Sequence, residues 1–422
     1  MDSKEQSSAC DGLFMVRWPV FERSQGIWGY ELAAGDAVGS SEQAAQCVLG
    51  EALSVSLAGV DQNKMLFAPF TRSMLVEDRF TDLPNGRTYI QLGPDVPADA
   101  EVLSAVARLH EAGYCLALDQ YGLEEDREPL ARQADLLKLM IRGRHPREVI
   151  GMAAGLKGHP AALMAMGVDD WQTFEGVKAL GFALYQGNYF GKPRIEPGRK
   201  LSVNTLTKIR ILGQLLEPGR DLSEVAPIIA TDPMLSYRLL RFINSAAFDL
   251  LQKVSTVEQA VNLLGMKALK QWAMFMVVAD LDGTGRGEEL TYLALQRGRF
   301  MEQCSVEVEE KPLPPQALFL AGLFSLLDAL LGLPMREALR DLPVEEVLVE
   351  GLCGKPGWIK TWLDLVGCVE KGEWKKAAEF CEKLGLRPRV AAVQYLKAST
   401  WAGEHTSFSR AADKPEKTAV TN

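Results

Sequence analysis

Histidine is scarce in this chain: its 422 residues contain four, at positions 110, 145, 159 and 405. None lies between Pro160 and Glu404, so almost the whole second half lacks the imidazole ligands on which many catalytic metal sites depend. The seven cysteines are scattered and form no Cys-X-X-Cys pair. This spacing argues against a zinc site and a disulfide framework, and it predicts reduced thiols in a cytoplasmic protein.

The chain also lacks an excess of positive charge, with 46 Lys and Arg against 55 Asp and Glu. A net charge of −9 argues against binding of nucleic acid polymers or anionic membranes. The first residues, MDSKEQSSACDG, have none of the basic and apolar regions of a signal peptide. The longest apolar stretch, residues 316–333, contains Asp328, so we expect a buried core helix rather than a membrane span.

The first half alternates short apolar runs with helix-like segments, a pattern typical of repeated βα units. We expect an α/β barrel of the TIM type here. Such barrels take about 250 residues, so a reduced barrel stays open as an alternative. The clearest predicted helices cover 41–58 and 97–112, and residues 14–22 are predicted to form a hairpin with the first strand. The predicted strands are 27–33, 65–70, 88–93, 114–121, 134–141, 162–168 and 182–190.

The second half changes character at residues 193–200 and then has helical spacing almost to its end, with Pro and Gly between the segments. We therefore predict an all-α domain there. The chain divides into an N-terminal extension (1–12), a barrel domain (13–197), a helical domain (198–402) and a polar tail (403–422). The extension is expected to be flexible and the tail disordered.

Four motifs in the first half resemble those of EAL domains, the barrel phosphodiesterases of cyclic di-GMP. GYEL at 29–32 resembles the motif that names the family, ALDQY at 117–121 its ALDDF strand, and DLLK at 135–138 its DxxK strand. The most specific motif is GF at 181–182 followed by YQGNYFGKP at 185–193. The motifs stand in the family's order, so the resemblance implies an EAL-like barrel over roughly residues 13–195.

The second half resembles the HDOD domain, an all-helical relative of HD-type phosphohydrolases. IIATDPMLSYRLLRFINSAAF at 228–248 matches the family's DP.L…LL…NSA.F pattern, and STVEQAVNLLG at 255–265 matches its next helix at the right spacing. A barrel of the EAL type followed by this domain resembles bacterial EAL–HDOD signal-transduction proteins. The resemblance implies a role in a pathway linked to cyclic di-GMP.

The resemblance also implies that the barrel's catalytic site is degenerate. Metal-assisted cleavage of a phosphodiester needs cations held by several carboxylate or amide oxygens. The matching positions are Glu31, Asp119, Lys138 and Gln186, whereas the lost ones carry Pro69, Gln91, Gln120 and Met140, with Met166 at or near a further lost acid. We expect the survivors to form a leftover ion-pair cluster without a metal, with Lys138 in reach of Asp119 or Glu31.

Binding of cyclic di-GMP without cleavage stays open as an alternative. The arginine with which the family holds phosphate corresponds to Gly35 here, and its loss argues against such binding. In the second half, residues 321–327 resemble the metal-binding helix of HD enzymes, but Ser325 and Leu326 replace its His and Asp. We therefore expect no metal and no cofactor in either half.

These observations predict a non-catalytic bacterial signal-transduction protein that acts through contacts with other signalling proteins. A receptor that binds cyclic di-GMP without cleaving it and a residual phosphodiesterase remain as alternatives, and a homodimer is compatible with the sequence. Arg238 and Arg241 are expected on the outer side or rim of a helix, where they form either a candidate interaction surface or a merely solvated face. The core-facing positions of that helix are Leu235, Leu239, Leu240 and Ile243.

Overall fold

The computed structural model describes residues 15–34, 63–195, 201–217, 219, 221–244 and 253–413. Several predicted features lie outside these residues. They are the N-terminal extension, the predicted helix at 41–58, position 35, residues 245–248 of the HDOD motif and the last nine residues of the tail.

Eight strands of the first half form a closed barrel in chain order. β1 runs antiparallel to both of its neighbours, β2 and β8, and every other pair is parallel. The barrel and its opening hairpin are thus confirmed, and the barrel closes fully despite its short sequence. The strands are β1 Met15–Glu22, β2 Ile27–Ala34, β3 Met65–Phe70, β4 Thr88–Leu92, β5 Cys115–Leu118, β6 Leu136–Met140, β7 Ala162–Met166 and β8 Leu184–Gln186.

Helices cover the outside of the barrel, which explains why its strands are apolar on both faces. The best-defined of them begins after Asp99, whose carboxylate accepts the Val102 backbone N–H at 2.9 Å. The predicted start at residue 97 is therefore two to three residues early, because the capping side chain and not Pro97 sets the first turn. The helices are α1 Arg72–Val76, α2 Ala100–Glu111, α3 Glu128–Ala131, α4 Pro146–Gly155 and α5 Trp171–Ala179.

The described part of the second half is helical, as predicted. The two helices predicted at 256–264 and 267–281 meet within α9 at Gly265, whose φ of 73° and ψ of 164° are non-helical and separate them. The helix predicted over 316–331 is divided at Ser325 and Leu326. The helices are α6 Val203–Leu216, α7 Leu222–Ala230, α8 Pro233–Ile243, α9 Val257–Ala279, α10 Gly285–Ser305, α11 Pro315–Phe324, α12 Leu327–Leu331, α13 Met335–Ala338, α14 Glu346–Leu352, α15 Trp358–Glu370, α16 Trp374–Lys383 and α17 Pro388–Asp413.

The apolar stretch at 316–333 forms α11 and α12, which are buried in the core as predicted. Across the described ranges, none of the helices combines the length and the apolar character that a bilayer span needs.

The last helix continues beyond the predicted end of the helical domain. Residues 403–413 belong to α17, so the expectation of a disordered tail from residue 403 is wrong for this stretch. The reason is burial: the ring of His405 lies 4.1 Å from that of Trp401 and 6.0 Å from that of Phe242, and Thr406 is buried. Burial lowers the pKa of His405, against a hydrogen bond to the Trp401 carbonyl that raises it.

Glycine allows α10 and α11 to pack closely. A Cβ on Gly322 would lie 2.2 Å from the backbone nitrogen of Gly298, and a Cβ on Gly298 would lie 2.8 Å from the carbonyl oxygen of Phe319. No side chain can move aside there, because the neighbouring atoms are backbone. The close approach of these two helices therefore requires residues without a side chain at positions 298 and 322.

We expect Gly322→Ala to lower the free energy of unfolding by about 1–3 kcal/mol, since the two helices must separate to admit a methyl group. Gly176→Ala is the matched control, because Gly176 lies exposed on α5 with nothing within 4 Å of an added Cβ. That change should stabilise the protein by about 0.5–1 kcal/mol. Urea unfolding of both variants measures the contrast, and equal effects would contradict it.

We expect acid to weaken the fold through His405. Its pKa is depressed in the folded state, so the unfolded chain takes up a proton first as the pH falls through 6.5, and the free energy of unfolding decreases below that pH. His405→Phe removes this titration, so the difference between the two stability curves should grow from pH 7.5 to pH 5 in favour of the variant. Parallel curves in urea unfolding across this range would contradict the prediction.

Candidate functional site at the mouth of the barrel

Lys138 lies inside the barrel, and its side chain is 0% exposed. Its ammonium donates to Glu31 Oε1 at 2.8 Å and to Gln91 Oε1 at 2.7 Å, and it lies 3.2 Å from Asp119 Oδ1. The prediction that Lys138 reaches Glu31 or Asp119 is confirmed, and it reaches both. We call Glu31, Gln91, Asp119, Lys138 and Gln186 the polar cluster.

Barrel geometry explains why these side chains meet. Four of them stand on alternate strands, with Glu31 on β2, Gln91 on β4, Lys138 on β6 and Gln186 on β8. In a closed barrel, alternate strands contribute one layer of inward-pointing side chains. Asp119 follows β5 directly and closes the group from the rim.

Both carboxylate oxygens of Glu31 are engaged within the cluster. Oε1 accepts from Lys138, and Oε2 accepts a hydrogen bond from Gln186 Nε2 at 2.6 Å. Burial lowers the pKa of Lys138, but the charges of Asp119 and Glu31 outweigh it, so the pKa is raised and the ammonium stays charged. Two carboxylates and one ammonium leave the cluster with one formal negative charge.

The polar cluster does not fit a divalent cation. The oxygens that would ligate a metal converge on the Lys138 ammonium, and a cation there would meet a charge of its own sign at hydrogen-bond distance. Within the described part of the chain, no three or more His, Cys, Asp or Glu side chains are grouped as metal ligands. No step of a metal-assisted reaction therefore follows from these residues.

The other positions that the motif comparison counted as lost lie outside the cluster. Gln120 is exposed, with a left-handed φ of 49°, and Pro69 is half-buried beside Gln91 in the β3–β4 ladder. Met140 and Met166 line the mouth of the barrel. Gln91 is the exception, since it keeps an acceptor for Lys138. In the sequence, Gln91 could have been recognised only as a single amide side chain between Ile90 and Leu92 in an apolar strand.

A small pocket lies at the carboxyl ends of the strands, beside Gln186. Its volume is about 200 Å³, below the roughly 300–1,000 Å³ of typical ligand pockets. Part of its wall comes from the helical half, which contributes Leu293 of α10, Tyr395 of α17, and Glu370 and Lys371 at the end of α15. The mouth of the barrel is therefore partly covered by the second half of the chain.

The helical half keeps an ion pair at the position that resembles the metal site of HD enzymes. Arg297 of α10 forms two hydrogen bonds to the Glu370 carboxylate, at 2.7 and 2.6 Å, and a third to the Ser325 hydroxyl at 3.0 Å. Leu326 is buried. An arginine fork with a carboxylate fixes geometry and holds no metal.

The expected interaction surface on α8 is wrong for Arg238. This arginine is 6% exposed, and its Nη1 lies 2.8 Å from Asp280 Oδ1 at the end of α9. Arg241 is half-buried rather than fully exposed. The apolar positions follow the prediction, since Leu235, Leu239 and Ile243 are buried and Leu240 packs partly buried against the same core. Helix spacing predicted the buried face of α8 correctly, but Arg238 on the other side packs against the end of α9.

Comparison with protein families confirms the helical half. The model of the HDOD domain matches residues 205–340, so the chain contains an HDOD domain. An EAL-like barrel followed by a helical region with an HDOD domain is the arrangement that the motifs predicted.

Two curated proteins resemble the chain over most of its length. YuxH of Bacillus subtilis, an uncharacterised protein, is 27% identical over 407 residues, which are 92% of this chain and 98% of YuxH. The cyclic di-GMP phosphodiesterase CdgJ of Vibrio cholerae is 25% identical over 399 residues, which are 92% of each protein.

Solved structures with EAL domains resemble part of the chain. The YkuI protein of Bacillus subtilis, solved with c-di-GMP and calcium, has a TM-score of 0.37 and 16% identity, over 44% of this chain and 56% of YkuI. The EAL domain of Mycobacterium smegmatis DcpA has a TM-score of 0.36 and 18% identity, over 42% of this chain and 90% of that domain.

We expect Lys138→Met to lower the free energy of unfolding by about 3–5 kcal/mol, because it leaves the Glu31 and Asp119 carboxylates buried without their cation. Adding Glu31→Gln should recover part of this loss. Arg132→Met, which breaks an exposed pair with Glu128, is the control and should cost less than about 1 kcal/mol. Urea unfolding measures all three, and a Lys138→Met cost as small as the control's would contradict the prediction.

Proposed function

We propose that the protein is a non-catalytic signal-transduction protein that acts through contacts with other proteins, in a pathway linked to cyclic di-GMP. The observation that carries this proposal is that the polar cluster contains only two carboxylates, Glu31 and Asp119, and that both lie within ion-pair distance of Lys138. Gln91, which stands at the position of a lost acid, already accepts from Lys138 and brings no charge, so the cluster offers a cation few ligands.

The link to cyclic di-GMP rests on resemblance. CdgJ, named as a cyclic di-GMP phosphodiesterase, is similar over 92% of both chains. That likeness supports descent from an enzyme of this kind, while the exchange of acids for Gln91, Gln120 and Met140 supports the loss of its chemistry. Without chemistry at the barrel, signalling through surfaces is the function that remains.

A second candidate is a receptor that binds the nucleotide without cleaving it. Three basic residues, Arg17, Arg142 and Lys371, line the pocket at the mouth of the barrel, and basic side chains favour a phosphate. Against this candidate stand the pocket's volume of about 200 Å³ and the engagement of Arg17 with Glu289 and of Arg142 with Asp169.

Calorimetric titration with cyclic di-GMP, with and without Mg²⁺ or Mn²⁺, distinguishes these functions when it is paired with chromatography of the linear dinucleotide product. We expect neither heat of binding nor product. Binding without product would favour the receptor. Product formation that Glu31→Gln abolishes would favour a residual phosphodiesterase and contradict the proposal, whereas product that this control still forms would come from a contaminating enzyme.

A further inference from the structure

The two halves of the chain meet in a buried cage around Arg17 of β1. Its guanidinium lies 3.5 Å from the ring centroid of Tyr292 and 4.5 Å from that of Tyr30, and Nη2 lies 3.5 Å from Glu289 Oε2. The Tyr30 hydroxyl donates to the same carboxylate oxygen at 2.8 Å. Arg17 and Tyr30 belong to the barrel and Glu289 and Tyr292 to α10, so the cage spans both halves.

Two further contacts tie the helical half to the rim of the barrel. The indole of Trp18 donates to the Glu370 carbonyl at 2.7 Å, at the residue whose side chain Arg297 holds. Arg286 of α10 donates to the Phe190 carbonyl at 2.9 Å and to the Lys192 carbonyl at 3.2 Å, both just after β8. Together with the cage, these contacts lie on one side of the barrel, along the adjacent strands β8, β1 and β2.

The strand that closes the barrel also packs into the helical core. Val16 of β1 is 3% exposed and belongs to the same apolar cluster as Phe300, Trp362 and Tyr395. Tyr395 also lines the pocket at the mouth. The occupant of this face is therefore the chain's own second half, held by apolar packing as well as by charges.

The cage contains buried polar atoms that lack hydrogen-bond partners. Nε and Nη1 of Arg17 and Oε1 of Glu289 are buried and find no hydrogen-bond partner among the described residues. Buried charged groups with unused donors and acceptors regain hydration when water reaches them, which offsets part of the attraction lost on separation. Opening the cage therefore costs less than opening a fully hydrogen-bonded ion pair would.

We propose that the helical half is a lid on the mouth of the barrel, with the Arg17 cage as its latch. In the closed state the lid covers the part of the mouth beside Gln186 and Met166, so a molecule enters the polar cluster from this side only after the halves separate. Binding and opening are then reciprocal: an occupant of the mouth favours exposure of the α10, α15 and α17 surfaces, and a partner bound to those surfaces favours an accessible mouth.

Thiol labelling tests the lid without any nucleotide, so its outcome is independent of the proposed function. Met166→Cys places a thiol in the covered mouth, Cys353 is an exposed internal reference, and Cys381, buried in the helical core, reports unfolding. N-ethylmaleimide labelling of each peptide is followed by mass spectrometry. In the parent Met166→Cys chain we expect the thiol at position 166 to react at least tenfold more slowly than Cys353, and equal rates would overturn the lid.

The latch variant, Arg17→Met with Glu289→Gln in the same background, removes both charges so that neither remains buried alone. We expect it to accelerate labelling at position 166 at least tenfold while Cys381 stays slow. Arg72→Met, which breaks pairs with Asp99 and Glu101 outside the interface, is the matched control and should change neither rate. An unchanged rate at position 166 in the folded latch variant, or a rate that rises only together with that of Cys381, would overturn the proposal.

Discussion

The burial of one ammonium group inside the barrel is the constraint on which the rest of the structure depends. A charged lysine with 0% exposure is stable only with partners, and the barrel supplies Glu31, Gln91 and Asp119 from three different strands or strand ends. Because these groups contact Lys138, fewer of their oxygens are available to another ligand. The same interaction thus fixes the interior of the barrel and sets the charge of its mouth.

The second half of the chain further restricts access to these groups, because it partly covers the mouth of the barrel. Each half contains an ion pair at the position that resembles an enzyme's site: Lys138 with Glu31 in the barrel and Arg297 with Glu370 in the helices. Glu370 also accepts from Trp18 of the barrel and lines the pocket. The two sites therefore face each other across the pocket at the mouth of the barrel.

Local patterns and motifs in the sequence predicted the barrel, the helices and the closeness of Lys138 to the acids. They did not predict the contacts between distant segments. Lys138 was expected near the acids because strand ends converge, but Gln91 counted as lost, since a motif comparison scores identity and not the ability to accept a hydrogen bond. Arg238 was placed outward because helix periodicity cannot tell that Asp280 closes over it. The contact of Tyr30 with Glu289 joins residues 259 positions apart, and no spacing rule reaches that far.

The antiparallel strand β1 has a consequence for how this architecture can change during evolution. It is the only strand of the described barrel that pairs antiparallel with both neighbours, and one short segment of it contributes Val16 to the helical core, Arg17 to the cage and Trp18 to Glu370. A barrel separated from its helices would expose these side chains to water. Helices separated from the barrel would lose the apolar contact that Val16 of β1 makes with their core. The two domains are recognisable as separate modules in sequence, yet they are not interchangeable parts, and recombination between them would have to carry β1 and α10 together.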